Sequence, residues 1–302
     1  MKRGGIARPR IVRPIRICVA LLAGLAAPAF AFAIDLAPLW NFADPVASER
    51  RFREALATAG GDDALILTTQ IARTHGLRRD FERARAILAG IEPAIATAGA
   101  EARVRYHLEV GRSWASATHA RDQRSPEGDA RARAAFRSAR ETAHSARLDD
   151  LEIDAIHMFA FVDTAPADQL RWAQEALAVV QASTQPAAKR WEASVRNNLG
   201  YALHTLGRYD EALAEFRAAV ALRERGTSAA ATRVAWWMVA WTLRAMQRID
   251  EAIDIQSRLE REGDAAGAPD RHVFEELEAL HRAKGDEAGA RRYAERGRAT
   301  AR

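Results

Sequence analysis

From about Ala64 to Arg302, apolar residues return every three or four positions, the spacing that lays one apolar stripe along a helix. No stretch alternates apolar and polar residues in the manner of a strand. The pattern predicts helices throughout. Five prolines, Pro93, Pro126, Pro166, Pro186 and Pro269, are expected in the connections between helices, where a missing N–H costs least. Inside the helical pattern a shorter motif recurs: an alanine, three spacers, a larger residue, then a third anchor. It occurs as Ala84/Leu88, Ala132/Phe136/Ala139, Ala173/Leu177/Val180, Ala212/Phe216/Ala219, Ala252/Gln256/Leu259 and Ala290/Ala294. The first members are spaced 48, 41, 39, 40 and 38 residues, so the chain reads as a stack of about six similar units. A helix from about Ala47 to Ala59, led in by Leu39-Trp40-Asn41-Phe42, is expected to cap the first of them.

The best-formed unit begins at Asn198. Leu199-Gly200 lie in a first helix, Leu206-Gly207 and Tyr209 at a turn, and Ala212, Phe216 and Ala219 in a second helix. Two antiparallel helices on a tight turn approach closely only where Gly200 and Ala212 remove side-chain bulk, and Phe216 then fills the gap. On these residues the chain resembles the tetratricopeptide repeat family, with Leu203 in place of the usual tyrosine. Arg196-Asn197-Asn198-Leu199-Gly200, followed by Gly207-Arg208-Tyr209-Asp210-Glu211-Ala212, is most similar to the long repeats of the kinesin-light-chain type.

The resemblance implies an all-α, right-handed superhelical solenoid of about six helix-turn-helix repeats over residues 64–302, preceded by a capping segment, 34–63. It also implies that first helices line a concave groove. With Gly200 as reference, Asn197, Tyr201 and His204 face that groove in the fourth unit; a shift of 40 residues adds Trp237, Trp241 and Arg244 from the fifth, and Trp236 falls at the packing position. The two tryptophans share one helical face, an aromatic strip suited to an extended peptide. Asn197 or Asn198 is expected to bond a peptide backbone, and Arg244 to receive a carboxylate. Burial of both tryptophans between units five and six is the competing reading. In the third unit the register leaves either Met158 and Val162 or His157 and Phe161 in the groove. The lysine and asparagine clamp of chaperone-binding members is not matched.

Smaller expectations follow. Asp210-Glu211 and Asp250-Glu251 should open second helices and cap them, and Asp62-Asp63 and Asp149-Asp150 should start helices likewise. The polar run His119–Gly128 should interrupt the second unit as a surface insertion. Glu278 stands where the sixth unit wants a small residue, so packing there should be poor.

Residues 1–33 are read as an export signal. Six basic residues precede an apolar core, Ile17 to Leu25, and Ala29-Phe30-Ala31 and Ala31-Phe32-Ala33 offer cleavage after Ala33 or Ala31. The core is too short to span a bilayer, which needs roughly 20 residues, so no transmembrane segment is expected in the mature chain. Removing the leader leaves 39 basic against 40 acidic residues, a net charge of −1. The whole-chain excess of +5 therefore belongs to the leader, and a nucleic-acid partner is not expected. The only cysteine, Cys18, lies in the leader, which removes disulfide, zinc-thiolate and cysteine-nucleophile chemistry from the mature chain.

Catalytic motifs are absent. There is no P-loop, no G-x-G-x-x-G and no G-x-S-x-G, and none of the eight histidines has metal-ligand spacing. No catalytic residue, metal or cofactor is therefore nominated. The expected role is a protein- or peptide-binding scaffold of the bacterial cell envelope, periplasmic or secreted. The alternative is an accessory or regulatory subunit of an envelope enzyme or secretion complex.

Overall fold

A computed structural model describes residues 34–300; the export-signal reading lies outside them. Fourteen α-helices and no strand occur among the described residues. Helix α1 (Pro45–Leu56) precedes six helical pairs: α2 and α3 (Gly61–Leu77, Phe81–Ile95), α4 and α5 (Ala100–Arg112, Pro126–Ala146), α6 and α7 (Asp149–Met158, Pro166–Ala182), α9 and α10 (Glu192–Thr205, Tyr209–Arg223), α11 and α12 (Ala229–Ala245, Ile249–Ala265), and α13 and α14 (Arg271–Ala283, Glu287–Thr300). The four-residue α8 (Pro186–Lys189) leads from the third pair into the fourth. Each pair packs on the next, as expected of an all-helical solenoid.

Four of the six units turn in the same way. Arg79, Gly207, Gln247 and Gly285 each sit in the left-handed region, at φ 65°, 74°, 60° and 76°. The following N–H bonds back to a carbonyl near the helix end: Asp80 to His75, Arg208 to Leu203, Arg248 to Leu243 and Asp286 to His281, at 2.9–3.0 Å. This six-to-one closure satisfies carbonyls the helix leaves open. In every such unit the small residue of the second helix lies five positions past the turn residue: Ala84, Ala212, Ala252 and Ala290, all buried.

The core is a chain of local clusters. Val104, Leu108, Phe136 and Phe159 join units two and three, and Leu199, Phe216, Val239, Leu243 and Leu280 join units four to six. The N-terminal end is closed by fully buried Phe52 of α1 and by Trp40, whose ring meets Phe52 edge-on at 4.9 Å and whose indole N–H donates to Gln70 Oε1 at 3.2 Å. This capping helix spans Pro45–Leu56, two to three residues earlier than the sequence suggested, because Asp44 accepts from Ala47 N and Pro45 supplies the first turn.

Four expectations need correction. Pro93 lies inside the last turn of α3, not between helices. Pro126, Pro166 and Pro186 open helices, at the position where proline is preorganised. Asp210-Glu211 and Asp250-Glu251 sit in first turns but cap nothing. Instead Glu211 receives Arg208 through two bonds of 2.7 Å, and Glu251 receives Arg248 identically. The sixth unit packs well despite Glu278, with Phe274, Leu277, Leu280, Ala290 and Tyr293 all buried. Glu278 pairs with Arg282 on its own helix, and in the second helix Ala294 stands where Phe216 stands in unit four.

The second unit is interrupted as expected. Between α4 and α5 the chain wanders through a short 3-10 turn, and His119 stacks on Phe81 at 3.6 Å.

Candidate binding groove

The first helices α2, α4, α6, α9 and α11 bring one edge of each unit to a common face. In four of them a larger residue follows the small packing position, Arg73 after Ala72, Arg112 after Gly111, Tyr201 after Gly200 and Trp241 after Ala240; the arginines and Tyr201 line hollows there, and Trp241 stacks on Tyr201. Three hollows lie along it. One of about 260 Å³ is walled by α2, α4 and α6; a second, about 220 Å³, lies between α6, α7 and α9; a third, about 360 Å³, lies between α9 and α11. Among the described residues His157 lines all three, so they adjoin at its ring. The structure thus settles the open register of unit three: His157 and Phe161 face the first hollow with Met158, whereas Val162 is buried in the core.

At the fourth and fifth units the rings form a stack. Trp237 and Trp241 lie 6.0 Å apart at 19°, Trp241 and Tyr201 5.8 Å apart at 18°, and Trp241 and His204 3.3 Å apart at 16°. Tyr201 is 45% exposed, while both tryptophans are half-buried. Trp237 donates its indole N–H to His272 O of unit six at 3.2 Å. His204 is buried, and its Nδ1 lies 3.2 Å from Thr242 Oγ1, whose own hydrogen goes to Met238 O. The imidazole must therefore donate from Nδ1, which requires no positive charge. Burial first, then the nearby Arg244, pushes its pKa down to about 4.

The polar candidates are placed differently from one another. Asn197 and Asn198 line the third hollow. Asn198 Nδ2 donates to His157 Nδ1 at 3.0 Å, which leaves the proton of a neutral His157 on Nε2. Burial holds the His157 pKa below its usual value. Arg244 is not open to an incoming carboxylate: its guanidinium donates to both oxygens of buried Glu276, at 2.6 and 3.2 Å, and so ties unit five to unit six.

Sequence reasoning missed the charged end of the groove. Arg112 donates to Glu109 Oε1 at 2.6 Å and to Asp154 Oδ1 at 2.5 Å, and Arg73 NH1 lies 3.6 Å from the same Glu109 oxygen. The four groups link α2, α4 and α6. Arg112 is held above its usual pKa by the two carboxylates despite burial, and Asp154 is held below its own by Arg112 and then Arg73. Carrying the Tyr201 register back to units one and two would have reached Arg73 and Arg112, but the insertion in unit two hides it.

No hydrolytic arrangement stands out. Ser116 Oγ lies 2.9 Å from His119 Nδ1, yet among the described residues no carboxylate bonds that imidazole to orient it. No group of three histidine, cysteine or acidic side chains is placed to hold a metal among the described residues. No described helix is long and apolar enough to cross a membrane.

Residues 191–260, from the start of α9 almost to the end of α12, match the family model described as tetratricopeptide repeat. The fold is similar to that of a solved signal-transduction ATPase with numerous domains from Pyrococcus horikoshii, which carries a tetratricopeptide repeat sensor. The TM-score is 0.63 at 13% identity, over 84% of this chain and 38% of that one, so the chain spans well under half that protein's length. Fainter likenesses are to BtubC (BKLC) from P. vanneervenii, at TM-score 0.41, 12% identity and 88% and 91% coverage, and to NprR in complex with its cognate peptide NprX, at 0.42, 12%, 86% and 87%. No curated protein matches the sequence. The matched segment, residues 191–260, is therefore of the tetratricopeptide-repeat type, and units one and six close their turns in the same way.

Proposed function

We propose that the chain is a non-catalytic scaffold that holds an extended protein or peptide segment along the face of its first helices, in the cell envelope after loss of residues 1–33. One observation carries the reading: the stacked run Trp237, Trp241, Tyr201 is partly open to solvent and continues, through Tyr201, into the hollows that meet at His157. Rigid rings give apolar contact at little entropic cost, and Asn197 offers an amide to a peptide backbone.

The test is recovery of partners from envelope extract by immobilised wild type and by Trp237→Ala/Trp241→Ala. The double variant should lose most bound protein while keeping its helical circular dichroism. Equal recovery by both would discard the groove. Export is checked by the mass of the protein in the periplasmic fraction, which should correspond to a chain beginning at Ile34 or Phe32.

A further inference from the structure

We infer that the segment held in the groove is uncharged and proline-rich, taken up as a polyproline II helix, and that the indole N–H groups of Trp191 and Trp241 donate to its carbonyls. This rests on the groove reading and names the chemistry of its ligand.

The tryptophans divide by what their N–H groups do. Four of the seven give theirs to the protein: Trp40 to Gln70, Trp172 to Asp163, Trp236 to Glu224 and Trp237 to His272 O, at 3.0–3.2 Å. Trp114 carries the guanidiniums of Arg85 and Arg131 over its ring and lines none of the three groove hollows. Trp191 and Trp241 remain. Among the described residues neither indole nitrogen has a hydrogen-bond partner, and neither is shut off from water. Trp191 lines the first and third hollows, and Trp241 stands in the ring stack beside Tyr201. The Nε2–H of a neutral His157, where the hollows meet, is a third open donor.

Open donors call for a ligand rich in carbonyls and poor in N–H groups. No carboxylate lines the second or third hollow, and Glu109 and Asp154 beside the first are taken by Arg112. The wall itself is made from the middles of helices, whose main-chain carbonyls are spent within the helix. A β-like segment would bring an N–H at every residue and find few acceptors beyond the amide oxygens of Asn197 and Asn198. Proline has no N–H, keeps its carbonyl, and holds the chain extended before it binds. Its ring also suits the aromatic strip. Tyr201, Trp241 and Trp237 follow one another at 5.8 and 6.0 Å, close to the ~6.2 Å that two residues of a polyproline II helix advance. Exposed Val234 on the same helix as the tryptophans adds apolar surface. Arg244, the charge beside the rings, is neutralised by Glu276, so an uncharged segment leaves nothing there unpaired.

The experiment titrates the full mature chain, by calorimetry, with two dodecapeptides that are blocked at both ends and free of charged residues. One has proline at two positions in three, the other alanine at the same positions. Wild type should bind the proline peptide at least about tenfold more tightly, because that peptide is ordered beforehand and brings fewer N–H groups to leave unpaired. Trp241→Phe keeps a ring and removes the N–H. It should weaken the proline peptide about fivefold, the value of one neutral hydrogen bond, at an unchanged melting temperature. Trp191→Phe is the second variant, used in the same way if the first unfolds. Equal binding of the two peptides, or full affinity in the folded variant, would overturn the assignment. If wild type shows no proline preference while Trp237→Ala/Trp241→Ala loses its envelope partners, only the ligand class falls. If wild type binds neither peptide and the double variant recovers envelope partners as fully as wild type, the groove falls with it.

Discussion

A Cβ on Gly200 would stand 2.7 Å from the Phe216 ring, and one on Gly111 would press still closer on Phe136. Both rings are fully buried and cannot retreat. Replacing glycine by alanine in a helix ordinarily gains up to about 1 kcal/mol, whereas overfilling a close-packed site costs about 1–3 kcal/mol. The steric term should win. Gly200→Ala and Gly111→Ala are expected to lower the urea midpoint, and Gly90→Ala, with nothing within 4 Å of its added methyl, to raise it. A gain at all three positions would mean the paired helices have room to part.

Gln256 occupies the Phe216 position in unit five. Its side chain is fully buried, and neither its Oε1 nor its Nε2 has a partner among the described residues. An unsatisfied buried polar group costs about 1–3 kcal/mol, so Gln256→Leu should raise the melting temperature. Gln256→Phe should not, because Ala240 stands opposite where Gly200 faces Phe216. A Gln256→Leu variant that melts earlier would show that the amide is bonded after all.

Gln247 and Arg79 hold the left-handed turn position that Gly207 and Gly285 fill elsewhere. A side chain in that region costs about 1 kcal/mol. Gln247→Gly is therefore expected to stabilise, net of glycine's larger entropy in the unfolded chain, by roughly 0.5 kcal/mol. Gly207→Ala should destabilise. Denaturant titration reads both, and a loss in Gln247→Gly together with a gain in Gly207→Ala would remove the turn as the reason for glycine there.

Acid should weaken the protein through its buried histidines. His204 has a pKa of about 4 in the folded chain against an ordinary 6.5, so the unfolded chain binds the extra proton between those values. Stability is then full above about pH 6.5 and declines as pH falls toward about 4, by at most about 3 kcal/mol from this residue. His107, His119 and His157 are shifted the same way and add to the slope. Unfolding free energy measured from pH 7 to pH 4 should fall less steeply in His204→Gln; identical slopes would exclude His204 as a source.

How far the residues announced all this depended on how local the physics was. Gly200, Ala212 and Phe216 announce the helical pair because their packing is settled within one turn-linked hairpin. The register around Gly200 then carries Tyr201, Trp241 and Trp237 onto one face. Arg244 was misjudged because its partner, Glu276, lies 32 residues on in the next unit, and no local rule couples them. Arg73 and Arg112 stayed hidden because the long connection before α5 breaks the spacing by which Gly111 would have been matched to Gly200. Pro93 misled for a simpler reason: it forfeits the one bond its N–H would make to the carbonyl of Ala89, and α3 runs only two residues further.

The bridge from Arg73 through Glu109 and Arg112 to Asp154 crosses three hairpins that otherwise lean only on their neighbours. Unravelling that begins at α14 can travel inward one hairpin at a time, but on reaching α6 it must pull Asp154 off a desolvated guanidinium. Amide exchange should accordingly be graded from the C-terminal end and then stop at a step, with α4 and α6 exchanging together as a single latch.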